Sequence, residues 1–320
     1  MSKLSGPITD AQWAERKLRI HAAMDRLGPV EKLLLRDALC QVDPVAWTRI
    51  KLGVTPDNWQ KQLMRGKGDV VALCGRRVGK SQGAAWTAAH HVVETPGAVA
   101  VCISPTQRQS GELFRLAKAA IVKAFPEASF PTDNRLSVEL SSGARLLSLP
   151  GDPATVRGLT ASLVVLDESQ SLPDGGHELL ASIRPTLGTT GGRMLMLGTP
   201  LDRSGVLFDL WESSDPDWTH LHVPTTLCPR VPKDFLERER RLLGEAMFAR
   251  EYLARFSASA AGMFDPDLLR AALLPDDFDF NAAGRGPRQP VQPAGYPPSP
   301  APRAAIDTGG SRYASAVLAP

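Results

Sequence analysis

The sequence is poor in cysteine and contains no long apolar run, and both shortages exclude whole classes of protein. Its four cysteines lie far apart without a CxxC pair, which argues against a zinc site and favours a reduced cytoplasmic setting. The first residues lack the apolar core of a signal peptide, and no stretch approaches the roughly 18 apolar residues that a transmembrane helix needs. We therefore expect a protein that is neither secreted nor membrane-spanning.

The charge balance and the histidines add two further limits. A net charge of +3 and a pI of about 8.7 are compatible with a polyanionic partner but do not establish one. The pairs His90-His91 and His220 with His222 have no carboxylate or cysteine at metal-binding spacing, and no serine lies in a GxSxG sequence. The function therefore has to be sought in other motifs.

The middle of the chain alternates short apolar runs with helical stretches such as Ser81–Glu94 and Gln109–Phe125. The runs are rich in Val, Leu, Ile and Ala, as is typical of strands covered on both faces. The predicted strands are Val70–Cys74, Ala98–Ser104, Ala144–Leu149, Leu163–Asp167 and Arg193–Gly198. This alternation predicts an α/β fold with a mostly parallel sheet, right-handed crossovers and flanking helices.

Helical patterns flank this central region. From Asp10 to Gln41 apolar residues recur at helical spacing with a break at Gly28-Pro29, and Lys233 to Phe256 indicates one long charged helix. From Asn281 to Arg303 the composition shifts to Pro, Gly and Ala, which is typical of an extended linker.

The strongest motif joins the first predicted strand to the helix after it, and it reads Cys74-Gly75-Arg76-Arg77-Val78-Gly79-Lys80-Ser81. A strand, a tight turn and a helix N-terminus in this order form a loop whose backbone N–H groups wrap phosphates. Gly79 allows a close approach of the backbone, Lys80 reaches the outer phosphates, and the Ser81 hydroxyl can ligate magnesium. Cys74 stands where GxxxxGK[ST] usually has its first glycine, but the context still predicts a nucleotide site.

A second element is the apolar run Leu163–Leu166, which leads directly into Asp167 and Glu168. Magnesium beside a phosphate loop needs a carboxylate at the carboxyl edge of a neighbouring strand. We expect Asp167 to hold the metal through water and Glu168 to polarise the attacking water. The plainer alternative is a core strand that ends in a polar turn.

Two weaker elements could complete the site. Leu197-Gly198-Thr199-Pro200 ends another strand, where the Thr199 hydroxyl would act as a sensor of the terminal phosphate. Gln60 lies 20 positions before Lys80, and a glutamine amide can pair with adenine. Taken alone, the first could be an ordinary turn and the second a surface glutamine beside the buried Trp59.

Charge compensation in the transition state calls for an arginine. Arg76 and Arg77 lie within the loop itself and would act from the same subunit. Arg157, ahead of the acidic strand, could bind phosphate in a neighbouring subunit or simply pair with an acid. We favour Arg76 and leave open whether the arginine acts within one subunit or between two.

As a set, these motifs resemble the large terminase subunits of tailed phages. The loop GRRVGKS, the segment RGLTASLVVLDES, the LGTP turn and the upstream PDNWQ match that family's pattern, as do FAREY and GMFD further on. The similarity runs from about Asp43 to Asp265 and implies a P-loop ATPase of the additional-strand, catalytic-glutamate (ASCE) type. It assigns the loop arginine to Arg76, the adenine contact to Gln60, the metal and catalytic acids to Asp167 and Glu168, and the coupling motif to Thr199.

The resemblance also implies a function: an ATP-driven, magnesium-dependent motor that translocates double-stranded DNA into an empty procapsid. Its partners would be the portal protein and a small terminase subunit, and its assembly would be a homo-oligomeric ring. Its location would be the host cytoplasm, with transient docking on the procapsid.

The domains implied are a helical segment at 1–42, the ATPase domain at 43–265, a linker at 266–303 and the start of a ribonuclease-H-like nuclease at 304–320. Asp307 occupies the place of that nuclease's first metal-binding acid. Two-metal cleavage needs several further carboxylates. We therefore expect a truncated nuclease in which Asp307 is a remnant.

Two alternatives stay open. A helicase-like DNA-remodelling ATPase also uses an acidic pair and a coupling turn, but it needs a second motor lobe, for which we find no candidate after Asp265. An inactive prophage remnant would keep the fold without the chemistry, and the presence of Lys80, Asp167 and Glu168 argues against it.

Overall fold

The computed structural model describes residues 26–256. The first part of the N-terminal helical pattern, the predicted linker and the predicted nuclease start with Asp307 lie outside these residues. Between residues 26 and 256, no helix combines the length and the apolar character needed to cross a bilayer.

The described residues alternate helices with strands, as the apolar pattern predicts. The helices are α1 (Pro29–Val42), α2 (Pro44–Leu52), α3 (Asn58–Arg65), α4 (Lys80–Glu94), α5 (Gln107–Ala124), α6 (Pro153–Val156), α7 (His177–Gly188), α8 (Val206–Glu212) and α9 (Lys233–Glu251). The strands are β1 (Asp69–Cys74), β2 (Val99–Ser104), β3 (Thr132–Asp133), β4 (Ser137–Glu139), β5 (Arg145–Pro150), β6 (Leu163–Leu166), β7 (Arg193–Gly198) and β8 (Trp218–Val223).

All eight strands belong to one sheet, in the order β3-β4-β5-β2-β6-β7-β1-β8. The pairs from β5 through β8 are parallel, and only β3 with β4 and β4 with β5 pair antiparallel. The expected mostly parallel α/β fold is confirmed. Strand β7 lies between β1 and β6, so the carboxyl ends of these three strands meet at one edge of the sheet.

The sheet is covered on both faces, and its central strands are apolar at nearly every position. Strands β1, β2 and β6 are buried along their whole length. Alternate residues of β1 enter different cores: Val70 belongs to the buried cluster that contains Trp86 and Phe114, and Val71 belongs to the cluster that contains Ile183. Such double burial is what near-continuous apolar strands require.

Several features differ from the sequence expectation. The short strands β3 and β4 were not predicted. Strand β8 was not predicted, because its residues alternate between buried and more exposed positions instead of forming an apolar run. The prediction of a single helix from Lys233 to Phe256 is wrong, because α9 ends at Glu251 and is interrupted at Gly244, where φ is 74° and ψ is 165°. Glycine adopts such a positive φ readily, so the interruption has a local cause.

Candidate nucleotide-binding site

The phosphate loop is the turn between β1 and α4. Strand β1 ends at Cys74, and α4 begins at Lys80 after Gly79, which has a φ of 87°. A Cβ at Gly79 would lie 3.0 Å from Gln60 Nε2, so the turn needs glycine for its conformation and for space. The first N–H groups of α4 have no acceptor within the helix, and the helix dipole makes this end attractive to an anion.

The side chains at the start of α4 meet those at the end of β6. Lys80 Nζ donates to Asp167 Oδ1 at 2.8 Å and to Glu168 Oε1 at 2.5 Å. Ser81 Oγ donates to Asp167 Oδ2 at 2.6 Å. Residues separated by more than 80 positions in the sequence therefore form one connected cluster.

Burial and neighbouring charges shift the pKa values in this cluster in opposite directions. Lys80 is 8% exposed and Asp167 is 4% exposed. Burial alone would lower the pKa of Lys80, but the neighbouring carboxylates, Asp167 first and then Glu168, raise it above its ordinary value. Burial alone would raise the pKa of Glu168, but the Lys80 ammonium outweighs it, so this pKa is lowered. Lysine and glutamate are thus both held in their charged forms.

Glu168 has an unusual backbone, and its carboxylate has a second partner. Its φ of 55° lies in the left-handed region, which is uncommon for a residue with a side chain. Its Oε2 accepts a hydrogen bond from Gln170 Nε2 at 2.6 Å, and Gln170 Oε1 accepts one from the backbone N–H of Thr199 at 3.1 Å. The end of β6 is thereby connected to the LGTP turn after β7.

Gln60 is buried against the phosphate loop, at 2% exposure, and is not a surface glutamine. Its Oε1 accepts from the backbone N–H of Asp57 at 2.9 Å, and its Nε2 donates to the carbonyl oxygen of Gly79 at 3.0 Å. Arg230 adds a second link on the same side: it donates to Asp57 Oδ1 at 2.8 Å and to the carbonyl oxygen of Val78 at 3.0 Å.

The candidate arginines differ in their partners. Arg76 lies in the loop, is half exposed and donates from Nε to Glu251 Oε2 at 2.7 Å. That hydrogen bond raises the pKa of Arg76. Arg77 has a φ of 65°, in the left-handed region. Arg157 forms an ion pair with Glu178 of α7 at 3.0 Å, so its contact is with the neighbouring helix.

The donor set fits magnesium that arrives with a nucleotide. The Ser81 hydroxyl and the Asp167 carboxylate already touch, and both are oxygen ligands, which magnesium prefers. Within residues 26–256, no group of three or more His, Cys, Asp and Glu side chains could hold a metal by itself. Magnesium in nucleotide sites uses one or two carboxylates and takes its remaining ligands from phosphates and water.

Four further residues at this edge were not singled out as site residues from the sequence, although Glu251 lies within the FAREY segment. Gln170, Arg230 and Glu251 make the contacts described above, and Arg108 lines a cavity of about 260 Å³ that also touches the two acids. Only the folded chain brings them to the loop.

The fold and this cluster together define a P-loop protein of the additional-strand class, because β7 is inserted between the strand of the loop and the strand of the acids. A family model described as the N-terminal part of the T4likevirus-type terminase large subunit matches residues 71–270. That match covers more than half of the 320 residues. The chain belongs to the terminase large subunit family.

Individual relatives agree with the family match. The terminase large subunit of Thermus virus P23-45 is 24% identical over an alignment of 250 positions that covers 67% of this chain and 51% of that protein. The corresponding protein of Thermus phage G20c is 24% identical over 254 residues, with the same coverage. The chain thus spans about half the length of the curated relatives it matches.

Solved structures agree on the fold. The ATPase domain of the Thermus phage P74-26 large terminase superposes with a TM-score of 0.58 at 23% identity, covering 67% of this chain and 99% of that domain. The HK97 bacteriophage large terminase gives a TM-score of 0.55 at 16% identity, covering 68% of this chain and 55% of that chain. The likeness supports the additional-strand ATPase fold.

Proposed function

We propose that this chain is the ATP-hydrolysing motor part of a phage terminase, which translocates double-stranded DNA into a procapsid. The observation that carries the proposal is the convergence of Lys80, Asp167 and Glu168 beside the phosphate loop. Burying such charges costs solvation free energy that their pairing does not reliably return. Perturbed, buried charges beside a phosphate-binding type of loop favour a functional site over a structural one.

The phosphates of ATP would lie in the loop of residues 75–81, against the N-terminus of α4 and the Lys80 ammonium. Ser81 and Asp167 would hold the magnesium ion, which neutralises phosphate charge when bound. The direct Ser81–Asp167 hydrogen bond supports this assignment, because it places a hydroxyl and a carboxylate where one ion could reach both.

Glu168 would orient the attacking water and accept its proton. Burial acts to raise the pKa of Glu168, but the Lys80 ammonium outweighs it and keeps the carboxylate ionised, which is the form that can accept a proton. Phosphate oxygens would compete with the two carboxylates for the Lys80 ammonium. Release from Lys80 would then free Glu168 Oε1 to take up the water.

Three residues would complete the chemistry. Gln60 would contact adenine from its place beside Gly79. Arg76 would compensate phosphate charge after leaving Glu251, and its half-exposed side chain gives it room to move. Thr199, at the end of β7, would sense the terminal phosphate.

Family membership supports a proposal about the partners. We infer a homo-oligomeric ring that acts on double-stranded DNA together with the portal protein and a small terminase subunit, in the host cytoplasm and transiently on the procapsid. The net charge of +3 is compatible with a DNA partner. The domain limits of 1–42, 43–265 and 266–303 and the nuclease role of Asp307 stay predictions.

Phosphate release from ATP by the purified protein with magnesium tests the proposal. Lys80→Ala should abolish nucleotide binding, whereas Glu168→Gln should bind ATP and lower kcat by about 100-fold or more. Lys123→Ala and Glu127→Gln, at exposed positions, serve as matched controls and should behave as the parent. If Glu168→Gln hydrolysed ATP as fast as the parent, Glu168 would not be the residue that accepts the proton of the attacking water.

A further inference from the structure

Gln170 joins the carboxylate of Glu168 to the turn after β7. Its amide is used at both ends: Nε2 donates to Glu168 Oε2 at 2.6 Å, and Oε1 accepts from the backbone N–H of Thr199 at 3.1 Å. A glutamine amide donates only from its nitrogen and accepts only at its oxygen, so the two contacts together fix the orientation of the Gln170 amide.

The contact depends on a residue without a side chain at the end of β7. A Cβ at Gly198 would lie 2.7 Å from Gln170 Oε1 and 3.0 Å from Ser169 Oγ. Any side chain there would therefore displace the Gln170 amide, the Leu207 side chain or both. Ser169 supplies a second tie between the same two segments, because its Oγ donates to the carbonyl oxygen of Leu197 at 2.9 Å.

The two oxygens of Glu168 have different partners. Oε1 contacts Lys80, whose ammonium phosphate would attract, and Oε2 contacts Gln170. When Lys80 turns to phosphate, Gln170 is the side chain that still fixes the carboxylate plane. Catalytic groups lose rate steeply when they are misplaced by even 1 Å, so a fixed plane matters for turnover.

We propose that Gln170 is a positioning residue that holds the Glu168 carboxylate at a fixed place relative to the Thr199 turn. Glu168 and this turn would then move together during turnover. This inference rests on the proposed function of Glu168. It adds a residue whose amide contacts the Glu168 carboxylate and the Thr199 backbone.

Two substitutions separate positioning from simple support. Gln170→Met keeps the length of the side chain but removes both hydrogen bonds. Gln170→Glu keeps an acceptor for the Thr199 N–H but places a second carboxylate against Glu168. The matched control is Ser169→Ala, which removes the other tie between the same segments without touching Glu168.

The measurements are kcat for ATP hydrolysis, Kd for ATP, and the thermal midpoint of each variant. We expect Gln170→Met to lower kcat about tenfold or more with Kd changed less than about threefold, and Gln170→Glu to lower kcat further. Ser169→Ala should keep kcat within about twofold of the parent. The values of kcat are compared with the parent's for the Gln170 variant whose thermal midpoint stays at the parent's value.

A kcat near the parent's in Gln170→Glu or Gln170→Met would overturn the proposal, as would equal losses of kcat in Ser169→Ala and Gln170→Met. A parent protein without ATP turnover would instead overturn the proposed function itself. The two failures are therefore distinguishable.

Discussion

Gln60 Nε2 donates to the carbonyl oxygen of Gly79 at 3.0 Å, so helix α3 touches the turn of the phosphate loop. The other end of the same amide accepts from the backbone of Asp57. A residue assigned to adenine therefore also supports the loop that would hold the phosphates. Changes at Gln60 should consequently affect both stability and base selectivity.

Gln60→Ala should weaken ATP binding roughly three- to tenfold and reduce the preference for ATP over GTP, because it removes the amide that would pair with adenine. It should also lower the free energy of unfolding by about 1 kcal/mol, since the partly buried Gly79 carbonyl loses one of its two hydrogen-bond donors. Competition binding with ATP and GTP measures the first effect. Gln62→Ala, at an exposed site on the same helix, is the control. An unchanged ATP-to-GTP ratio would contradict the adenine assignment.

Arg76→Ala should lower kcat by about 100- to 1,000-fold, because the arginine would compensate charge that develops in the transition state. Arg157→Ala should have a much smaller effect, since Arg157 forms an ion pair with Glu178. Steady-state phosphate release measures both variants, and Arg115→Ala, at an exposed ion pair, is the control.

Mixing variants shows whether the arginine acts within one subunit. If Arg76 serves its own subunit, a mixture of Arg76→Ala and Lys80→Ala should recover no activity beyond that of the separate proteins. Recovery in a mixture of Arg157→Ala and Lys80→Ala, together with a larger kcat loss in Arg157→Ala, would instead assign the arginine to the neighbouring subunit.

Gly75→Ala should destabilise the protein by roughly 1–3 kcal/mol, because a Cβ there would lie 2.4 Å from Thr225 Oγ1 and 2.7 Å from the carbonyl oxygen of Tyr252. The added methyl group would push the loop away from the segment after α9. Gly111→Ala in α5 is the opposite case, since its Cβ would meet nothing within 4 Å, and it should stabilise by about 0.5–1 kcal/mol. Denaturant unfolding measures both, and a neutral Gly75→Ala would show that the loop is not packed as described.

Acid should destabilise the fold through His91, whose pKa burial lowers to about 4. The unfolded chain takes up a proton at its ordinary value of about 6.5, so stability should fall as the pH drops from about 6.5 to about 4. Each pKa unit corresponds to about 1.4 kcal/mol. Thermal midpoints measured across this range should fall less steeply in His91→Gln than in the parent.

The control for the acid effect is His177→Gln. His177 is exposed, and its hydrogen bond to Asp209 raises its pKa, so it favours the folded state when protonated. Removing the His177 imidazole should not make the thermal midpoint fall less steeply as the pH drops. Equal slopes in the parent and in His91→Gln would contradict the account of His91.

The central strands were predictable because a strand that is buried on both faces is a nearly continuous run of apolar residues. The predicted limits of Arg193–Gly198 match β7, and those of Val70–Cys74 miss one residue of β1. Strand β8 has no such apolar run. It lies at the edge of the sheet and leaves His222 partly accessible, so its apolar run is interrupted.

The meeting of Lys80 with Asp167 and Glu168 followed from motifs whose chemistry requires it. Gln170 could not be found in the same way, since a glutamine two positions after an acid has no meaning by itself. Its role depends on β7 lying beside β6, which only the folded sheet shows. Glu251 likewise reaches Arg76 only because α9 returns to the loop.

The central claim is that a triphosphate with its divalent ion lies between the Lys80 turn and the Asp167-Glu168 end of β6. A crystal structure of Glu168→Gln with ATP and magnesium tests it most directly. We expect the outer phosphates against Lys80, the ion within reach of Ser81 and Asp167, and the adenine on the Gln60 side. Nucleotide bound elsewhere on the sheet, with the Lys80–Asp167 contact intact, would contradict the account.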